Sequence, residues 1–281
     1  MGGVGDEPDE FDDPTSWEYI ISDDDEHLGE PWPEEGLDPL PPGEARPRQR
    51  RPRRRAIENL TRTRRALRNI DEVELNVLDP NSLRRINFER NELTELPESL
   101  ARFANLIEIN VSENALRNLP DAIWSSNYIL TVNASHNQLI RLNSGIGRAV
   151  ALGALNVAHN RLSRLPDEIG DLQNLSYLNA SNNILLNLPN ALSKLRSLRS
   201  LVLSRNEFER FPESILGLQR LESLDLSGNH LRSLPERVGE LKRLTNLDLS
   251  ENNIEYLPSE LGELSNLREL NLSNNELETL P

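Results

Sequence analysis

One asparagine recurs at a constant interval of 23 residues, and this interval constrains the fold more than any other feature of the chain. The nine members of the series are Asn91, Asn114, Asn137, Asn160, Asn183, Asn206, Asn229, Asn252 and Asn275. Leucines stand at fixed offsets around each of them, in the pattern L-x-x-L-x-L-x-x-N-x-L-x-x-L-P that residues 221–235 show without exception. A unit this short cannot bury its own apolar side, so neighbouring units must stack around a shared core. The sequence therefore predicts an α/β repeat solenoid of nine repeats, numbered here 1 to 9 by their asparagines.

Each repeat divides into a strand, an asparagine turn and a return segment. Leu224 and Leu226 flank Asp225 with the alternation of a short strand, and stacked repeats would form a curved parallel sheet on the concave face. The asparagine that follows is predicted to satisfy backbone groups and to bridge adjacent coils. The proline of each repeat is compatible with the start of a short helical segment on the convex face. Asn143 replaces that proline in repeat 3, and we expect a local irregularity there.

Residues 83–281 resemble the intracellular leucine-rich repeat (LRR) proteins with repeats of 23 residues and an LP-x-x-[IL]-G-x-L linker. Similar proteins include Ras-signalling scaffolds, the Ras suppressor protein, the Scribble and Erbin group, and the plant intracellular Ras-group LRR proteins. The resemblance implies a leucine-rich repeat solenoid that acts as a scaffold or adaptor in signal transduction. It also implies protein partners of the small GTPase or phosphatase kind.

The centre of the predicted concave face departs from the polar consensus of the outward positions. Small or apolar side chains replace polar ones there, and basic residues stand just before three repeat asparagines. This candidate partner-binding patch, the central patch, consists of His136, Ala154, Ala158, His159, Tyr177, Val202 and Arg205. An apolar floor with one aromatic residue and a basic edge is typical of protein-binding hot spots. The alternative is ordinary variation within a tolerant consensus.

Metal binding and catalysis are disfavoured by the residues available. Equivalent positions of adjacent coils lie about 5 Å apart, so His136 and His159 could share an ion, but no further ligand stands in their row. The chain has no cysteine, phosphate-binding loop or nucleophile elbow. Asp225 and Asp248 are expected to face water. We predict no enzyme activity, no metal and no cofactor.

Residues 1–55 are predicted to be a disordered arm that is acidic and then basic. Residues 1–45 carry 16 acidic and no basic residues, within a chain of net charge −15. One apolar cluster, followed by acids, interrupts them as a candidate linear motif: Trp17, Tyr19, Ile20, Ile21 and Ser22. This stretch resembles motifs that dock ubiquitin-like modifiers, and Ser22 resembles an acid-directed kinase site.

A basic cluster follows the acidic stretch. Its core is Arg50, Arg51, Arg53, Arg54 and Arg55. The cluster is compatible with a nuclear import signal, a nucleic-acid arm or a membrane-surface anchor, or with intramolecular pairing to acidic residues. Nucleic acid is disfavoured as the main ligand, because the repeats are acidic and offer no aromatic stacking platform.

Residues 56–82 are predicted to cap the first repeat. Ile57, Leu60 and Leu67 have helical spacing, whereas Val73 to Val77 alternate as a strand does. The chain stops at Pro281 where a return segment would begin, which suggests truncation. No apolar stretch is long enough to span a bilayer. We therefore expect a cytoplasmic and also nuclear protein scaffold; a chromatin-associated regulator and a fragment of an immune-type LRR sensor are the alternatives.

Overall fold

The computed structural model describes residues 56–70 and 72–279, which form a curved, open sheet of parallel strands. Ten strands follow one another in chain order, each paired in register with the next. They are β1 (Asn59–Thr61), β2 (Arg85–Asn87), β3 (Glu108–Asn110), β4 (Thr131–Asn133), β5 (Ala154–Asn156), β6 (Tyr177–Asn179), β7 (Ser200–Val202), β8 (Ser223–Asp225), β9 (Asn246–Asp248) and β10 (Glu269–Asn271). The predicted solenoid is confirmed.

The 23-residue interval sets the register of this sheet. Ala154 pairs with Tyr177, Leu155 with Leu178 and Asn156 with Asn179, so identical repeat positions form rows across the strands. The middle residue of each strand points into the core, where Leu155 and Leu178 are fully buried. The residues before and after it face the concave side, because side chains alternate along a strand.

The return segments are short 3-10 helices, one in each of the first eight repeats. They span Glu98–Arg102, Asp121–Trp124, Ser144–Arg148, Asp167–Asp171, Asn190–Lys194, Glu213–Gly217, Glu236–Glu240 and Ser259–Glu263. Seven of them begin directly after a proline, as its position in the repeat predicted. Proline suits this place because its fixed φ matches the entry to the helix and its missing N–H leaves no donor unpaired.

The irregularity expected at repeat 3 is absent from the backbone, so that prediction was wrong. Asn143 adopts φ −82° and ψ 163° at the start of the segment Ser144–Arg148, close to the conformation of Pro166 in the next repeat. Its side chain explains the substitution. The Asn143 Oδ1 accepts the indole N–H of Trp124 at 3.0 Å, and its Nδ2 donates to the carbonyl of Leu119 at 2.9 Å.

The secondary structure of the first coil is the reverse of the prediction. Residues 56–69 contain strand β1, whose Leu60 pairs with Ile86 and is buried in the core, so the predicted helix is wrong. The predicted strand at Val73 to Val77 is instead a helix, α1 (Glu72–Val77). Leu75 and Leu78, three residues apart, are both buried, whereas Val77 is exposed, which is helical rather than alternating burial. Within the described residues, no helix has the length and apolar character needed to cross a membrane.

Candidate functional site

The repeat asparagines form an internal ladder of hydrogen bonds that holds the coils together. The Nδ2 of Asn160 donates to the carbonyls of Val157 and Ala158 in its own turn and of Ala134 in the preceding coil, each at 3.0 Å. Its Oδ1 accepts the backbone N–H of Leu139 at 2.9 Å. The structural role predicted for these asparagines is confirmed. The six from Asn137 to Asn252 are buried, and Asn91, Asn114 and Asn275 are half-buried.

A second ladder lies on the concave face itself, four residues before each repeat asparagine. In eight of the nine repeats an asparagine or aspartate there accepts the backbone N–H of the residue two positions later. Asn133 accepts from Ser135 N at 3.1 Å, and Asp225 from Ser227 N at 2.9 Å. Sequence reasoning saw these residues only as polar consensus. The polar row is part of the scaffold, because it closes the end of each strand.

Val202 is the one exception in this row. An isopropyl group cannot accept a hydrogen bond, and the backbone N–H of Ser204 has no acceptor among the described residues. Val202 lies between Asn179 on β6 and Asp225 on β8, both of which keep the bond. Repeat 6 therefore lacks a stabilising contact present in every other repeat and has an apolar side chain on the concave face instead.

The apolar residues of the central patch lie on or beside three neighbouring strands. Ala154 on β5 pairs with Tyr177 on β6, and Tyr177 pairs with Ser200, two residues before Val202 on β7. Ala154 and Ala158 are only 8% and 3% exposed, so they form a floor, while Tyr177 and Val202 are partly exposed above it.

The two histidines of the central patch stack on each other. The ring centroids of His136 and His159 are 4.0 Å apart and their planes differ by 13°. Both residues have positive φ (52°), which directs their side chains to the carboxyl edge of the sheet. Partial burial lowers the pKa of His159, and the charges of His136 and Arg205 lower it further. His159 is therefore more readily neutral than an ordinary histidine.

Arg205 lies two coils beyond His159 in the same row and completes the basic edge. The next position of the row is Gly228, at φ +62°. A Cβ on Gly228 would lie 3.0 Å from the Cγ of Arg205, so the glycine leaves room for the arginine side chain. The structure thus brings together the residues predicted for the central patch: the small floor, Tyr177, Val202 and the basic edge.

The two ends of the concave face differ from its centre, since their charged groups are paired within the chain. Arg85 contacts Glu108 at 3.1 Å near the first repeats, and Glu269 bonds to Asn246 near the last. Asp225 and Asp248 are each engaged by a serine two residues later. Within residues 56–70 and 72–279 no three His, Asp or Glu side chains cluster as metal ligands would.

Two further predicted sites lie outside the described residues. They are the linear motif at Trp17 to Ser22 and the arginine cluster at Arg50 to Arg55.

Comparison with known proteins agrees with the repeat architecture. Residues 150–208 match the family described as leucine rich repeat, and residues 190–280 match the leucine-rich repeat region family. Together with the stacked parallel strands and the asparagine ladder, these matches define the chain as a leucine-rich repeat protein. No curated protein matches the sequence.

Solved structures support the same class. An LRR protein of Leptospira interrogans is 29% identical with a TM-score of 0.71, and the alignment covers 80% of this chain and 62% of that one. The LRR ectodomain of the Arabidopsis thaliana receptor kinase GASSHO1/SCHENGEN3, solved in complex with CASPARIAN STRIP INTEGRITY FACTOR 2, is 31% identical with a TM-score of 0.64. That alignment covers 74% of this chain and 26% of the ectodomain. This chain therefore spans less than two thirds of either relative.

Proposed function

We propose that the chain is a protein-binding scaffold or adaptor that holds its partner on the central patch of the concave face. The observation that carries the proposal is Val202. In eight repeats an Asn or Asp at this position accepts a backbone N–H, and in seven of them that residue is buried or half-buried. Val202 cannot form this bond. A residue that omits a stabilising contact and exposes apolar surface is typical of a binding site rather than of a scaffold position.

The rest of the central patch suits a protein partner. Tyr177 and Arg205 belong to the residue types enriched in hot spots, and the small Ala154 and Ala158 leave space beside the tyrosine for a partner side chain. The adjacent Thr131, Ser200 and Ser223 carry no charge, so a partner need not desolvate ions at the centre of the contact. Binding rather than catalysis is the function this arrangement supports.

The proposal can be tested by capture of partners from cell extract on the immobilised chain. The double variant Tyr177→Ala/Val202→Asp should lose at least one specifically captured protein. Asn246→Ala/Asn271→Asp is the matched control, because it alters the same two rows in adjacent coils, three repeats further along. An unchanged set of captured proteins with the first variant, or the same loss with both, would argue against the central patch.

We further propose that the chain acts in intracellular signal transduction. By resemblance, we propose a small GTPase, a phosphatase or a ubiquitin-like modifier as the partner class, and the cytoplasm as the main location. A nuclear or chromatin-associated role is the alternative that the arginine cluster suggests. Imaging of the full chain with alanines at Arg50, Arg51, Arg53, Arg54 and Arg55 distinguishes the two, since unaltered distribution would reject the cluster as a nuclear address.

A further inference from the structure

A second unusual surface lies outside the concave face, on the flank that follows the asparagine turns. It is formed by the first, third and fourth residues after each repeat asparagine, called here the flank positions. In repeats 3 to 5 these nine positions contain three arginines and no acidic residue. In repeats 6 to 9 the same twelve positions contain five glutamates, two arginines and one histidine. The flank of repeats 3 to 5 is thus a basic island in an acidic protein.

The same island exposes large aliphatic side chains. Ile140, Ile184 and Leu186 are 53%, 48% and 58% exposed, and all three occupy flank positions. The intervening Leu185 is buried in the core, so Ile184 and Leu186 are not needed there. Exposed apolar side chains grouped on one flank mark interaction sites more often than single scattered ones do.

Backbone hydrogen bonds hold these positions side by side. The N–H of Ile184 donates to the carbonyl of Leu162 at 3.0 Å, and that of Arg161 donates to the carbonyl of Leu139 at 2.9 Å. The three coils therefore meet along the flank. Ile140 and Leu186 occupy the same repeat position two coils apart, and the smaller Ser163 occupies it in the coil between them. We therefore expect a shallow depression between the two aliphatic side chains.

The arginines of this flank have no side-chain partner among residues 56–70 and 72–279. Arg141, Arg161 and Arg164 are exposed, and none forms an ion pair or side-chain hydrogen bond with another residue of the described segments. Asp167 and Glu168 line the same open groove as Arg141 and Arg164, but no ion pair joins them to either arginine. No carboxylate of the described segments occupies these guanidinium groups.

We propose that this basic–aliphatic flank, made of Ile140, Arg141, Arg161, Arg164, Ile184 and Leu186, docks an extended acidic segment of a partner protein that carries aliphatic anchor residues. Charge complementarity identifies the occupant. Arginine guanidinium groups form bidentate hydrogen bonds with carboxylates. Apolar anchor residues of the segment would pack between the exposed side chains of Ile140 and Leu186. A docked carboxylate would meet three arginines at the flank positions of repeats 3 to 5, in a groove that Asp167 and Glu168 also line, whereas glutamates outnumber arginines at the flank positions of repeats 6 to 9.

Nucleic acid is the competing polyanion, and the surface suits it less well. A nucleic-acid groove combines basic residues with aromatic side chains on which bases stack. The six residues of the flank include no aromatic one, and their apolar groups are branched aliphatic chains that favour peptide side chains.

The test is a selection of random twelve-residue peptides displayed on phage, carried out on the full chain. Selected peptides are then synthesised, and their affinities are measured by fluorescence anisotropy for the wild type, for Tyr177→Ala/Val202→Asp and for four further variants. Arg141→Glu/Arg164→Glu removes the basic island. Arg220→Glu/Arg243→Glu is its matched control, because these two exposed arginines also occupy equivalent positions of adjacent coils and lie before the strands, on the opposite flank. Ile184→Ser/Leu186→Ser tests the exposed aliphatic side chains, with Tyr128→Ser/Leu130→Ser as its control among exposed apolar residues of the opposite flank.

We expect selected peptides to contain several acids and at least one Leu, Ile or Val. Their affinity should fall at least tenfold with Arg141→Glu/Arg164→Glu and at least fivefold with Ile184→Ser/Leu186→Ser, while both controls bind within twofold of the wild type. Enrichment of neutral or basic peptides, absence of enrichment, or equal losses in the controls would overturn the proposal. So would peptides that depend on Tyr177 instead, or a single-stranded oligonucleotide that binds more tightly than the peptides. Because Tyr177 and the flank are tested separately, failure here leaves the concave site standing.

Discussion

The indole N–H of the buried Trp124 donates to the side-chain oxygen of Asn143, 19 residues later in the next coil. Every other return segment in the described part begins after a proline, and proline offers no side-chain acceptor. The departure from consensus at Asn143 is therefore tied to the tryptophan in repeat 2.

Restoring the consensus at this site should destabilise the protein. Asn143→Pro would leave the buried Trp124 N–H and the Leu119 carbonyl without partners, at a cost of about 1–3 kcal/mol in the free energy of unfolding. Urea denaturation measures the loss. Pro166→Asn in the next coil serves as control and should cost less, since no tryptophan depends on it. Equal stability of Asn143→Pro and wild type would contradict this explanation.

Val202→Asn should separate stability from binding. The new side chain can accept the N–H of Ser204 as Asn179 accepts that of Ser181 at 3.0 Å, so the free energy of unfolding should rise by about 0.5–1.5 kcal/mol. Partner capture should weaken, because the apolar surface is lost. Asn179→Val makes the converse change in the adjacent coil and should lower stability. A variant that is more stable and binds unchanged would show that Val202 is ordinary variation.

The asparagine ladder should matter most in the middle of the solenoid. Asn160→Ala leaves the buried N–H of Leu139 without an acceptor and removes one of the donors to three backbone carbonyls, so it should cost about 2–4 kcal/mol. Asn275→Ala removes the same bonds in the last repeat, where the side chain is only partly buried, and should cost about 1 kcal/mol. Urea midpoints of the two variants test this order, and a reversed order would count against the burial argument.

Acidification should destabilise the protein through His159. Its pKa is lowered in the folded chain, first by partial burial and then by His136 and Arg205. As the pH falls through about 6.5, the unfolded chain takes up this proton before the folded chain does, so stability decreases. The urea midpoint should drop between pH 7.5 and 5.5, and His159→Gln should make the drop smaller.

The repeating part of the fold was predictable because one spacing determines it. A 23-residue interval with an asparagine at its turn fixes strand, register and burial together, as Leu155 and Leu178 illustrate. The first coil lacks that interval. Its few apolar residues fit either a helical or an alternating pattern. Pairing with β2 makes the segment around Leu60 a strand, whereas Leu75 lies in the helix α1.

The candidate site was predictable in composition but not in geometry. Tyr177 and Val202 could be found as departures from a polar row. The sequence did not reveal that hydrogen bonds from side chains to the backbone hold this row, because these bonds depend on the conformation of the turn after each strand. The stacking of His136 on His159 depends likewise on backbone conformation. The residues of the basic–aliphatic flank are scattered in the sequence, and only the stacking of repeats 3 to 5 places them side by side.

The residues directly before the repeat asparagines all have left-handed backbone, with φ between 51° and 62° from Arg90 to Asn274. Branched side chains such as valine and isoleucine are excluded from such positions by their own bulk, whereas Asn, His, Gly and unbranched chains are tolerated. One border of the concave surface is therefore restricted to polar or long flexible residues whatever partner is selected for. On the concave face, new contacts through branched apolar side chains must therefore come from the strand positions, and the border beside them stays polar or unbranched.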